Sequence, residues 1–138
     1  MKIMVSACLL GENCKYDGGS NKNEKLLSLA AGNEIIPVCP EVMGGLPVPR
    51  VPCEIVGGTV VDRNGVSRDA NFRAGALAAL EIAKRERPDM IVLQSRSPSC
   101  GVKNIYDGTF SGKLRPGTGV FAKLLIENGF TVTDVSEL

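Results

Sequence analysis

Apolar positions along the chain fall into two patterns. Short unbroken runs occur at Ile3-Met4-Val5, at Ile35-Ile36-Pro37-Val38 and at Met90-Ile91-Val92-Leu93. Strands show such runs when both their faces are covered, as in the middle of a parallel sheet. They predict strands over 2–7, ending at Cys8, over 34–38, ending at Cys39, and over 89–94. The second pattern has helical spacing. Leu26, Leu27 and Ala30 predict a short helix over 23–31 with Gly32 as its stop. Phe72, Ala76, Ala79, Leu80 and Ala83 share one face of a long helix that Ser67 or Asp69 can cap and that Pro88 closes after Arg87. Thr118 is the candidate cap of a last helix over 120–127, stopped by Gly129, and 130–135 read as a final strand.

The segments between are punctuated by glycine and proline. Gly57-Gly58, flanked by 54–56 and 59–61, is a two-residue hairpin signal. The stretch 40–52 holds four prolines and Gly44-Gly45 and reads as a shaped loop without regular structure. A long Gly-rich loop precedes Thr118. The alternation of strands and helices predicts an α/β fold: a single three-layer Rossmann-like domain over 1–138, with a largely parallel sheet and a small β-hairpin insertion.

Composition narrows the chemistry. There is no histidine, which excludes a Ser-His-Asp triad, a His-paired cysteine nucleophile and any His-bearing zinc site. Net charge is +1 and aromatic residues are 4 %, so neither nucleic acid nor an anionic membrane is the expected partner. No apolar run approaches the ~20 residues of a membrane span, and no secretory signal is read at the N-terminus, so a cytoplasmic location is expected. Five cysteines in such a compartment point to metal binding or thiol chemistry before disulfides.

Cys8, Cys39 and Cys100 each follow a predicted core strand, the edge where open α/β sheets bind ligands. Three thiols arriving there from three loops can grip one metal centre, and thiolates without histidine suit zinc or an iron–sulfur cluster. Paired zinc-knuckle cysteines and the ferredoxin C-x2-C-x2-C run are both absent. Placement alone leaves ordinary core packing of free cysteines equally open. Around the trio, Glu41 lies two residues from Cys39, within general-base reach of such a centre. Ser95, Ser97 and Ser99 alternate before Cys100, as hydroxyls for substrate or as plain turn formers. Gly44, Gly45 and Gly101 permit close backbone approach to a ligand. Arg50, Lys103, Arg115 and the weak Gly117-Thr118-Gly119 motif are candidate phosphate acceptors.

Ser6-Ala7-Cys8-Leu9-Leu10-Gly11, Tyr16-Asp17-Gly18, Cys39-Pro40-Glu41, Gly44-Gly45-Leu46-Pro47, Pro49-Arg50 and Ser97-Pro98-Ser99-Cys100-Gly101, in that order along essentially the whole chain, resemble the thiouracil desulfidase family. The resemblance implies a 4Fe–4S cluster on Cys8, Cys39 and Cys100, with one iron open to the sulfur of a thiolated pyrimidine. It implies exchange of that sulfur for oxygen without net redox, releasing hydrogen sulfide, with Glu41 as acid/base residue and a serine of 97–99 assisting. Similar proteins that act on thiolated tRNA carry a further RNA-binding domain, so a free base or nucleotide is the expected substrate here. Cys14 and Cys53 fall outside the shared pattern. Cys14 can serve as a fourth ligand, which would close the open iron, or accept the sulfur as a persulfide; Cys53 is expected to be a packing residue. Two other readings compete: a non-catalytic four-thiolate metal protein, and a metal-free sulfurtransferase using Cys100.

Overall fold

The computed structural model describes residues 1–138. The elements in chain order are β1 (Lys2–Ser6), a 3-10 turn (Ala7–Leu10), α1 (Glu24–Ala30), β2 (Glu34–Val38), α2 (Pro40–Met43), β3 (Cys53–Val56), β4 (Thr59–Asp62) and α3 (Asp69–Glu86). There follow β5 (Met90–Leu93), β6 (Asn104–Tyr106), β7 (Leu114–Pro116), α4 (Val120–Glu127), β8 (Thr133–Asp134) and a closing 3-10 turn (Val135–Glu137). No helix is long and apolar enough to cross a membrane.

One sheet of four parallel strands, in the order β2-β1-β5-β8, carries the architecture. Its pleat explains the unbroken apolar runs. Met4, Ile91 and Leu93 face α3 and α4, packing on Ala76, Ala79, Leu80, Phe121 and Leu125. Ile3, Val5 and Val92 face the other way, onto Leu26 of α1 and onto Leu9. Helices therefore cover both faces, giving three layers. Each fully buried side chain of this kind, Leu26 or Leu125 for example, contributes about 1.5–3 kcal/mol relative to an exposed one.

Several sequence expectations change. The 40–52 stretch is not wholly irregular: Pro40 opens α2 at the first helical position, where its missing N–H is not needed and its fixed φ suits the helix. The N–H groups of Met43 and Gly44 then close onto the carbonyls of Cys39 and Pro40, both at 2.9 Å. The Gly-rich loop before α4 contains a second antiparallel hairpin, β6–β7. The cap of α4 is Gly119, not Thr118, and no side chain supports it. The last strand shrinks to Thr133–Asp134, because Asp134 turns its carboxylate onto the N–H of Ser136 and starts a capped 3-10 turn with Glu137.

Two glycines set the distance between α2 and α3. A Cβ on Gly75 would run into the carbonyl of Pro40, and one on Gly44 into the carbonyl of Asn71. Backbone therefore meets backbone here, and Asn71 Nδ2 donates to the Gly44 carbonyl at 2.8 Å.

Candidate functional site

From β1 the chain crosses to β2 on one side, then returns at β5 on the other. Strand order thus reverses beside β1, and a crevice opens at the carboxyl edge of the sheet. Cys8 lies in the 3-10 turn after β1, Cys39 is the N-cap of α2 directly after β2, and Cys100 closes the loop after β5. All three line one cavity of about 380 Å³, together with Cys14 and Cys53. No three ligating side chains converge closely enough to hold a single metal ion. Thiols spread around a wall suit a polynuclear cluster, whose irons occupy separate corners.

Burial pushes Cys8 and Cys100 up, against opposing hydrogen bonds from Asn21 to Cys8 and from Ser6 to Cys100. Asn21 Nδ2 stands 3.4 Å from Cys8 Sγ. Cys14 is pushed up to about 12, by burial first and then by Cys39 beside it. Burial likewise takes Cys53 to about 11. A metal centre displaces the proton of such thiols on binding, and cysteine thiols without histidine are a donor set that fits an iron–sulfur cluster.

Beside the thiols runs a directed chain of hydrogen bonds. Ser97 Oγ accepts from the N–H groups of Ser99 and Cys100, both at 3.1 Å. Its lone pairs are thereby used, and its own hydrogen goes to Ser99 Oγ at 2.9 Å. Ser99 in turn donates to Glu41 Oε2 at 2.7 Å, while its oxygen lies 3.7 Å from Cys100 Sγ. Glu41, in the first turn of α2, receives Arg50 Nε on Oε1 at 3.1 Å. The pair is largely withdrawn from solvent, with side-chain exposures of 6 % for Arg50 and 15 % for Glu41.

Glu41, Arg50, Ser97, Ser99, Cys8, Cys14, Cys39 and Cys100 all line the cavity. Arg50 also ties the protein together: one N–H of Nη1 and one of Nη2 go to the carbonyls of Pro47 and Cys14, at 3.2 and 2.9 Å. Lys103 does not reach the cavity and instead faces Glu137 at 3.8 Å on the surface. Gly44 serves the contact with α3, and Gly45, at φ +90°, turns the chain out of α2. Gly101 packs against Ser97, donating its N–H to that carbonyl at 2.9 Å. Gly117-Thr118-Gly119 offers no anion site, because the N–H groups of Val120, Phe121 and Ala122 are taken by the carbonyls of Pro98 and Ser99. Arg115 lines a separate cavity.

Sequence reasoning missed Arg63, Arg96, Tyr106, Phe110 and Glu54 on the cavity wall. Glu54 stands on the expected hairpin, Arg63 just after it and Arg96 within the serine loop, without any signal of a site role, while Tyr106 and Phe110 arrive through β6 and the loop after it, which no periodicity announces. Arg63 and Arg96 form no ion pair.

Over 99 % of its length the chain is 38 % identical to an uncharacterized protein, YbbK, of Bacillus subtilis (strain 168), of which it covers 97 %. Its structure superimposes with a TM-score of 0.93 on that of a [4Fe-4S]-dependent thiouracil desulfidase, TudS, at 40 % identity, covering 99 % of this chain and 92 % of that one. The family model for 2-thiouracil desulfurase matches residues 3–137. The chain belongs to the 2-thiouracil desulfurase family.

Proposed function

We propose that the protein exchanges the sulfur of a thiolated pyrimidine for oxygen, using a 4Fe–4S cluster held by Cys8, Cys39 and Cys100. One observation carries this reading: three thiols from three strand ends share a cavity with a carboxylate that is one hydroxyl away from Cys100. The cluster supplies, when bound, an open iron that polarises the C=S bond as a Lewis acid. The balance is one thiocarbonyl and one water in, one carbonyl and one hydrogen sulfide out, with sulfur in the same oxidation state throughout.

The chain's own groups handle the proton. Glu41, paired with Arg50 through Oε1, is the base that takes a proton from water. Once Oε2 carries that proton its bond with Ser99 reverses, and the Ser99 hydroxyl hydrogen is freed to turn toward Cys100 Sγ or the substrate. Ser97 cannot turn with it, since two backbone N–H groups fix its oxygen. Arg63 and Arg96, unpaired on the wall, are placed to receive a phosphate where the substrate is a nucleotide.

A second reading has Cys14 completing a four-thiolate site without turnover. Its support is that Cys14 lines the same wall, with its carbonyl 4.0 Å from Cys39 Sγ. Capture of the sulfur as a Cys14 persulfide is not proposed, because joining sulfide to a thiol removes two electrons and the exchange supplies no oxidant.

The test is iron and acid-labile sulfide content after anaerobic reconstitution, with hydrogen sulfide release from 2- and 4-thiouracil and their nucleotides. About four irons per chain with sulfide release, both lost in Cys39→Ala, is the expected result. Iron uptake without turnover favours the four-thiolate reading, and no uptake sinks both.

A further inference from the structure

The loop between β6 and β7 brings one large aromatic side chain, Phe110, to the cavity wall. Phe110 has φ +54°, in the left-handed region that a bulky residue avoids unless its surroundings impose it. The surroundings here are specific. Phe110 N–H donates to Glu54 Oε1 at 3.2 Å, and Gly108 N–H donates to the same oxygen at 2.9 Å. Glu54 stands on β3, is 9 % exposed and forms no ion pair.

Gly108 rests on the same strand, since a Cβ there would lie 2.7 Å from the Ile55 carbonyl. The loop is also braced internally. Asp107 accepts from the N–H and hydroxyl of Thr109 at 3.0 and 2.6 Å, and its own N–H donates to the Lys113 carbonyl at 2.9 Å. Two N–H groups of the loop thus converge on one carboxylate oxygen of β3. What this carboxylate secures is the position of a ring on the cavity wall.

We propose that Phe110 is the surface on which the pyrimidine ring of the substrate lies, and that Glu54 is the positioning residue that holds it there. The inference rests on the desulfuration reading above and adds the contact that selects a flat ring. A pyrimidine has a π face at either side, and an aromatic ring is the side chain that pairs with it irrespective of which ring carbon bears sulfur.

The test compares Phe110→Ala, Glu54→Ala, their double variant and Glu54→Gln in the reconstituted protein. Phe110→Ala and Glu54→Ala are each expected to raise KM for the thiolated pyrimidine about tenfold, the scale of one base–aromatic contact, with a smaller change in kcat and with iron content retained. The double variant is expected to be no worse than Phe110→Ala alone, since Glu54 acts through the ring. Glu54→Gln keeps the carbonyl acceptor and is expected to return KM toward the native value. Hydrogen exchange at 107–113 is expected to quicken in Glu54→Ala and not in Glu54→Gln. Native turnover with KM unchanged in Phe110→Ala, or KM effects that multiply in the double variant, overturns the inference alone. A native protein that takes up iron and releases no sulfide overturns the desulfuration reading and this inference with it.

Discussion

Arg50 closes on Glu41 at 3.1 Å, and the same guanidinium ties the Cys14 and Pro47 carbonyls. It thereby joins α2 to the loop after β1. Removing one partner of a nearly buried pair strands the other charge. Arg50→Gln is expected to lower unfolding free energy by about 3 kcal/mol, read by chemical denaturation. Arg50→Lys keeps the charge without the fork and is expected to recover only part of it.

Glu41→Gln leaves the thiols untouched and removes the proposed base. Sulfide release is expected to fall about 10²–10⁴-fold at unchanged iron content. Ser99→Ala interrupts the link between Glu41 and Cys100 and is expected to lower turnover in the same direction. Loss of iron in either variant would instead place these residues in cluster retention.

Cys14→Ser separates the two readings of the cysteines. Iron content is expected to be unchanged, as a three-thiolate site requires. A fall in bound iron would favour the four-thiolate site.

Gly75→Ala puts a methyl group against the Pro40 carbonyl. Overpacking of this kind is expected to cost about 1–3 kcal/mol, seen as a lowered Tm. Because Pro40 lies between Cys39 and Glu41, iron uptake is expected to fall as well, although Gly75 touches no ligand.

Asp69 anchors the hairpin to α3. Arg73 at 2.6 Å holds its carboxyl below the usual carboxylate range, with help from the Val60 N–H. The folded pKa is thus below the unfolded value, so the unfolded chain binds the proton more readily in acid. The stabilisation is present above about pH 4, the unfolded value, and is lost as pH falls through the folded one. Asp69→Asn is expected to lower stability near neutrality, where the charged carboxylate contributes, and to flatten the acid limb of the stability–pH profile, read by denaturation across pH.

The parts of this architecture that depend on covered faces were legible beforehand. The runs at 35–38 and 90–93 are strands because helices lie on both sides of them, and cysteines placed after such strands had one edge to meet at. Residues beside a motif were read less well. Gly44 and Lys103 stand next to site residues in sequence, yet one faces a helix backbone and the other solvent. The β6–β7 hairpin escaped notice because Leu114-Arg115-Pro116 is exposed throughout and shows no alternation. Phe110 and Glu54 meet across that unseen hairpin, so no spacing could have paired them.

The three thiols enter the cavity from β1, β2 and β5, strands joined by long crossovers. Before those strands pair, the chain offers separate cysteines and no binding site. Parallel pairing of distant segments is slow, since loop closure precedes the contacts that reward it. Iron delivery therefore has to meet an already folded chain, and any variant that delays closure of the sheet lengthens the time during which its cysteines stand unprotected against oxidation.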